Sequence, residues 1–236
     1  MHVLLLLLTT VFSAIVPGHR HTITLQFRHM VGARELKLYT ETYINPFGEP
    51  VTINRFKYYV SHIHLTGADG VERTLSDKTW LIDEADSLSK KLVFTTDVAS
   101  PQTLSFVIGV DSALNVGGVQ TGDLDPYKGM FWTWNNNYIF AKMEGRNDSS
   151  HAASRYFNYD VGGFRSFANA TRTIRLSLPA NTAVAANPVI VLNADLLKWF
   201  NAKHPVKISQ QPLCHQPGNL AMQIADNYSC MFSVAL

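Results

Sequence analysis

Apolar and polar residues alternate with a period of two through most of this chain, and that pattern limits what it can fold into. Ile23, Leu25 and Phe27 alternate with Thr22, Thr24 and Gln26; Leu104, Phe106, Ile108 and Val110 repeat the pattern, as do Ile174, Leu176 and Leu178 against Thr173, Arg175 and Ser177. Side chains two apart on an extended chain share one face, so such segments read as half-buried antiparallel strands. The turn-forming pieces Asn45-Pro46-Phe47-Gly48, Asp69-Gly70 and Asp125-Pro126 punctuate them. The expected fold class is all-β, an antiparallel β-sandwich or distorted barrel with long loops. Helical signal is confined to the C-terminal quarter, where one or two short helices are expected. Asn193-Ala194-Asp195 can cap Leu196, Leu197, Trp199 and Phe200. Pro217-Gly218-Asn219 precedes Leu220, Ala221, Ile224, Ala225, Tyr228 and Met231, one apolar face over about three turns.

At 236 residues, 46% of them hydrophobic and 16% charged, the chain can bury a sizeable core without staples. Twenty Lys plus Arg against 18 Asp plus Glu leave a formal charge of +2, which gives no long-range field for nucleic acid or anionic lipid. No run reaches the ~20 apolar residues of a transmembrane helix. The start of the chain reads as an export signal. An apolar run through Leu4–Leu8 and Val11-Phe12 meets Ala14 and the breaker Pro17-Gly18, although no Lys or Arg precedes it. Residues 1–18 are therefore expected to be a signal peptide and residues 19–236 a single β-sandwich domain, periplasmic, at the cell surface or secreted. In that oxidising setting Cys214 and Cys230 are expected to pair, closing a loop worth roughly 3 kcal/mol. Sequons at Asn147, Asn169 and Asn227 matter only in a eukaryotic host.

No nucleophile elbow, zinc-protease helix, phosphate loop or dinucleotide fingerprint occurs, and the expectation is a binder, not an enzyme. His62 and His64, two apart in Tyr58-Tyr59-Val60-Ser61-His62-Ile63-His64-Leu65, share a strand face opposite Tyr59, Ile63 and Leu65 and can ligate one ion. His19 and His21 flank the expected cleavage point, and His215 adjoins Cys214. Residues 104 to 145 hold a long loop rich in Gly, Asp and Asn that runs into Met130-Phe131-Trp132-Thr133-Trp134 and a strand from Tyr138 to Glu144. Loops of this length are usually functional. Two alternatives to a histidine site arise there. Asp111, Asn115, Asp123 and Asp125 supply oxygen ligands suited to calcium. Phe131, Trp132, Trp134 and Tyr138 offer an aromatic surface for a glycan or protein.

The stretch Gly109-Val110-Asp111-Ser112, Asn115, Leu124-Asp125-Pro126, Gly129-Met130-Phe131-Trp132-Thr133-Trp134, Tyr138-Ile139 and Lys142-Met143-Glu144-Gly145 resembles the MbnP-like proteins. These are exported β-rich proteins related to copper-binding surface proteins of methane-oxidising bacteria. Flanking matches are Phe27-Arg28-His29-Met30-Val31-Gly32, Tyr58-Tyr59-Val60-Ser61, Val161-Gly162-Gly163-Phe164 and Ile224-Ala225-Asp226-Asn227-Tyr228. The resemblance implies copper acquisition or handling, with copper held by two histidines and a kynurenine. A dihaem partner of the MauG-like or cytochrome c peroxidase-like kind makes that kynurenine from tryptophan. Carried onto this chain, the candidates for modification are Trp132 and Trp134, both left open, and His29 joins His62 and His64 as a candidate ligand. Some relatives carry histidine before the Gly-Gly pair; this chain departs from them with Asp160, which leaves either a carboxylate ligand there or no copper site of that kind.

Overall fold

In the computed structural model, which describes residues 20–183 and 187–235, the alternation becomes two packed sheets. The main strands are β1 (His21–Val31), β2 (Pro50–Gly67), β3 (Glu72–Ser76), β4 (Trp80–Asp83), β5 (Lys91–Thr96), β6 (Pro101–Ile108), β7 (Asn137–Arg146), β8 (Tyr156–Gly162), β9 (Arg172–Ser177), β10 (Val189–Asp195) and β11 (Phe232–Val234); the helices are α1 (Ser112–Val116) and α2 (Asn219–Tyr228). The expected signal peptide, residues 1–18, and His19 lie outside the described residues. No described helix is long and apolar enough to cross a membrane.

In β1 every second residue from Ile23 to Val31 is buried, and β6 buries Leu104, Phe106 and Ile108. A five-stranded sheet centres on β1, with β10 and then β11 on one edge and β5 on the other. A ten-stranded sheet is built round β2 and continues through β6 to β9 on one side and through β7 to β8 on the other. Phe27 from the first sheet meets Tyr58 and Phe106 from the second edge-on, each at 6.1 Å between ring centres, and Phe106 meets Phe232 edge-on at 5.1 Å. Edge-to-face pairs of this kind add to the stabilisation from burial alone.

The pairing is antiparallel in most of both sheets, as expected, with two exceptions. β1 and β10 run parallel, Thr24 opposite Val189 through Met30 opposite Asp195, and Leu213–Cys214 runs parallel to β8. A parallel pair needs a long crossover; between β1 and β10 the chain builds most of the second sheet. The expected disulfide needs correction, because both cysteines are free. Cys214, in register with Tyr159, is buried at the sheet edge, whereas Cys230 lies beyond the end of α2 and is exposed.

Of the C-terminal helices, α2 forms as the apolar spacing predicts and buries Ala221, Ile224, Ala225 and Tyr228. Asp195 does cap a turn by accepting from the Leu197 amide, but Leu196–Trp199 is a single 3-10 turn, not an α-helix.

One feature of the β2 edge positions the rest. β6 pairs with β2 from Gly67 to Val60, and β7 takes the same edge from Tyr58 to Thr52. Residues 109–136 are thus an excursion between two strands that occupy one line. Gly109 leaves the sheet with its amide on the Tyr59 carbonyl at 3.1 Å. Buried Asn115 holds the excursion shut, donating to the carbonyls of Val110 and Asp111 at 2.9 and 3.0 Å and accepting from the Tyr138 amide at 3.1 Å. The Tyr138 hydroxyl accepts from the Gln120 amide and donates to the Gly118 carbonyl.

Candidate metal centre

His62 and His64 lie on one face of β2, half-buried, while Ile63 and Leu65 point into the core. The strand is not regular there. Between Ser61 and His64 the register with β6 slips by one residue, and His62 takes φ +48°. A left-handed backbone at a non-glycine residue costs of order 1–3 kcal/mol and is held only where the surroundings demand it. The opposite edge of β2 pairs with β3, and a second irregularity between Ile63 and His64 sets Ser76 across from Ile63. Asp77, in the turn after β3, therefore arrives beside His62, with 3.7 Å between its Oδ1 and His62 Nδ1.

One ligand atom each from His62, His64 and Asp77 lies within 4.8 Å of the other two. The His62 Nε2 is bonded to Asp111 Oδ1 at 2.6 Å, and His64 Nδ1 to Thr74 Oγ1 at 3.1 Å. Lys78, next to Asp77, turns its ammonium over the Trp80 ring at 4.4 Å. Two imidazole nitrogens and one carboxylate oxygen form a donor set that suits copper and zinc, and the half-exposed setting leaves further positions for water. The set thus fits the metal that the resemblance implies. Sequence reasoning found the two histidines and missed Asp77. Counting outward from the Asp69-Gly70 hairpin sets Ser76 across from His62, and the irregularity between Ile63 and His64, which the sequence does not signal, moves the pairing on by the one residue that brings Asp77 there.

His29 does not join this group. The β1 alternation turns it inward, where Nδ1 meets Glu84 Oε2 at 2.7 Å and Nε2 meets the Tyr58 hydroxyl at 3.0 Å. Burial pushes the imidazole below its ordinary pKa against the opposing bond to Glu84, and burial keeps the Tyr58 hydroxyl protonated. Tyr58 therefore donates to Nε2, while Nδ1–H donates to Glu84, which also holds Lys90 at 2.7 Å. Both ring nitrogens are taken.

Asp160 is buried on β8, ion-paired with Lys142 at 2.8 Å, and Lys142 also reaches Glu144 at 2.9 Å. The His215 Nδ1 lies 3.7 Å from the other Asp160 oxygen. A cation thus already neutralises the carboxylate that stands before the Gly-Gly pair.

The two tryptophans differ. Trp132 is buried with its Nε1 unpartnered, and its ring closes over Gly162, where a Cβ would sit 2.9 Å from the indole. Trp134 is 64% exposed, with its ring centre 5.9 Å from that of Trp132. Tyr138 is fully buried and Phe131 partly so, so of the expected aromatic surface Trp134 alone is widely exposed.

The loop oxygens proposed for calcium are engaged separately. Asp111 bonds His62, Asn115 staples the loop, Asp123 accepts from the Leu81 amide at 3.4 Å and Asp125 caps a turn by accepting from the Tyr127 amide at 2.9 Å. Among the described residues, Asp111, Asp123 and Asp125 do not converge as His62, His64 and Asp77 do.

The MbnP family model matches residues 20–216. Among solved structures, MbnP from Methylosinus trichosporium is similar to this chain with a TM-score of 0.60 at 13% identity, over 86% of this chain and 83% of that one. No curated protein matches.

Proposed function

Since the chain belongs to the MbnP family, we propose that it is an exported copper-binding protein that acquires or handles the metal in the periplasm or at the cell surface and catalyses no reaction. The observation that carries this reading is the convergence of His62, His64 and Asp77 within 4.8 Å. The two imidazoles and the carboxylate would hold the ion, and water would complete its coordination. Copper bound there is cargo, held by two imidazole nitrogens and one carboxylate.

A dihaem partner that oxidises Trp132 or Trp134 belongs to the same proposal. The exposed face of Trp134 supports access for such a partner, and the 5.9 Å between the rings keeps Trp132 within its reach. Asp160 and His29 are left out of the ligand set because Lys142 neutralises the carboxylate and Glu84 and Tyr58 occupy both imidazole nitrogens.

Copper titration of the chain expressed without any haem partner tests the reading. One ion per chain is expected, with nitrogen hyperfine structure in the Cu(II) electron paramagnetic resonance spectrum. The double substitution His62→Ala and His64→Ala should abolish both. Retention of stoichiometric binding by the double variant would overturn the assignment.

A further inference from the structure

Asp111 occupies the N-cap of α1, yet its side chain makes no capping bond. An N-cap aspartate ordinarily accepts from an amide two or three residues on and so stabilises the first turn. Here the carboxylate turns away from the helix and approaches His62 Nε2 to 2.6 Å. At the other end of that bond His62 holds its left-handed backbone. Two local preferences are given up at one hydrogen bond, on residues from different elements, and the bond lies beside a cluster of metal-ligating atoms.

A carboxylate only accepts, so in the neutral imidazole the bond places the proton on Nε2 and leaves the lone pair on Nδ1. Nδ1 is the nitrogen that faces Asp77. We propose that Asp111 is the positioning residue of the metal centre, an outer-shell carboxylate that holds His62 in the Nε2–H tautomer so that the ion binds Nδ1. This rests on the centre proposed above. Outer-shell carboxylates of this kind orient a ligating ring and raise its basicity. Asp111 also belongs to the 109–136 excursion, where its carbonyl accepts from the amide and the side chain of Asn115. The ion is thereby tied, through one side chain, to the segment that carries Trp132 and Trp134.

The test uses the full chain with and without Zn(II), a diamagnetic stand-in for copper. In metal-free protein, long-range nitrogen–proton correlation spectra should give His62 as the Nε2–H tautomer. Asp111→Ala should return it to a mixture, and Asp111→Asn, whose amide oxygen still accepts, should retain the tautomer. With zinc, the Nδ1 resonance of His62 should move, and affinity should fall about 10- to 100-fold in Asp111→Ala and less in Asp111→Asn. Loss of the carboxylate removes no helix cap, so a cooperative thermal transition is expected for both variants. An unchanged tautomer, or wild-type zinc affinity in Asp111→Ala, overturns the role of Asp111 alone. A wild-type chain that binds neither zinc nor copper overturns the metal centre and this inference with it.

Discussion

His29 and His62 stand on strands of the same kind and meet opposite fates. Period-two alternation was enough to place His62 and His64 together on an outer face; carried on past Phe27 it turns His29 inward, away from the ligand role the resemblance implied. What lay beyond the sequence was the company each keeps. Glu84, Lys90 and Asp77 arrive through strand pairings, and the irregularity between Ile63 and His64 in the pairing with β3 shifts the register by the one residue that brings Asp77 alongside His62. Two sequons likewise lose their meaning on folding, since Asn147 and Asn227 are buried. The His29 environment has a consequence for stability against pH. Burial, opposed by the bond to Glu84, holds this imidazole below its ordinary 6.5. Below that pH the unfolded chain takes up a proton that the folded chain refuses. The stability that depends on neutral His29 is thus complete above 6.5 and is lost as pH falls toward the folded value. For Glu84, burial is outweighed by the bonds to His29 and Lys90, so its pKa lies below the ordinary 4.5 and its stabilising effect is also lost on acidification, at lower pH. Substitution His29→Gln should lower stability near pH 7 by roughly 1–3 kcal/mol, because a buried partner is left unpaired. The variant should then lose less than wild type between about pH 7 and pH 5. Urea midpoints across that range decide the matter, and parallel losses in both proteins would exclude His29 as the titrating group.

At the level of elements, the strands and α2 were legible because each depends on local periodicity. The shared edge of β2 was not, because two strands in one line with 28 residues between them (109–136) look like any strand–loop–strand in sequence. The long loop could be recognised as unusual, but not its staple. Asn115 is fully buried, and its side chain closes three hydrogen bonds that join both ends of the excursion. Substitution Asn115→Ala leaves the Tyr138 amide and the Val110 carbonyl without that partner. Each such buried orphan costs roughly 1–3 kcal/mol, so the excursion should open before the sheets do. Limited proteolysis should cut the variant first within residues 112–130 while the strands stay protected. Equal resistance of the variant and wild type would show that the loop is held elsewhere, for instance by Tyr59, whose hydroxyl donates to the Asp123 carbonyl at 3.1 Å.

For the whole molecule, sandwich architecture follows from many alternating strands, but the way the chain closes it does not. β1 pairs in parallel with β10 across 165 residues of sequence (Thr24 with Val189), and β11 then adds itself to the outer edge of β10. Residues 217–235 complete the core from outside the alternating-strand pattern. Ile224 and Tyr228 are fully buried, Met231 and Phe232 nearly so, and Tyr228 packs on Trp199 with 5.4 Å between ring centres. Asn227 donates to the carbonyls of Trp199 and His204 and accepts from the amides of Lys203 and His204. Burying those four large side chains contributes roughly 1.5–3 kcal/mol each, a sum of about 6–12 kcal/mol that is comparable with the roughly 5–15 kcal/mol stability of a whole domain. A chain that stops at residue 216 should therefore show no cooperative thermal transition and should bind a hydrophobic dye at ambient temperature. If it instead melts sharply near the wild-type midpoint, the sandwich closes without α2 and β11, and their burial is decoration on a core that the two sheets already complete.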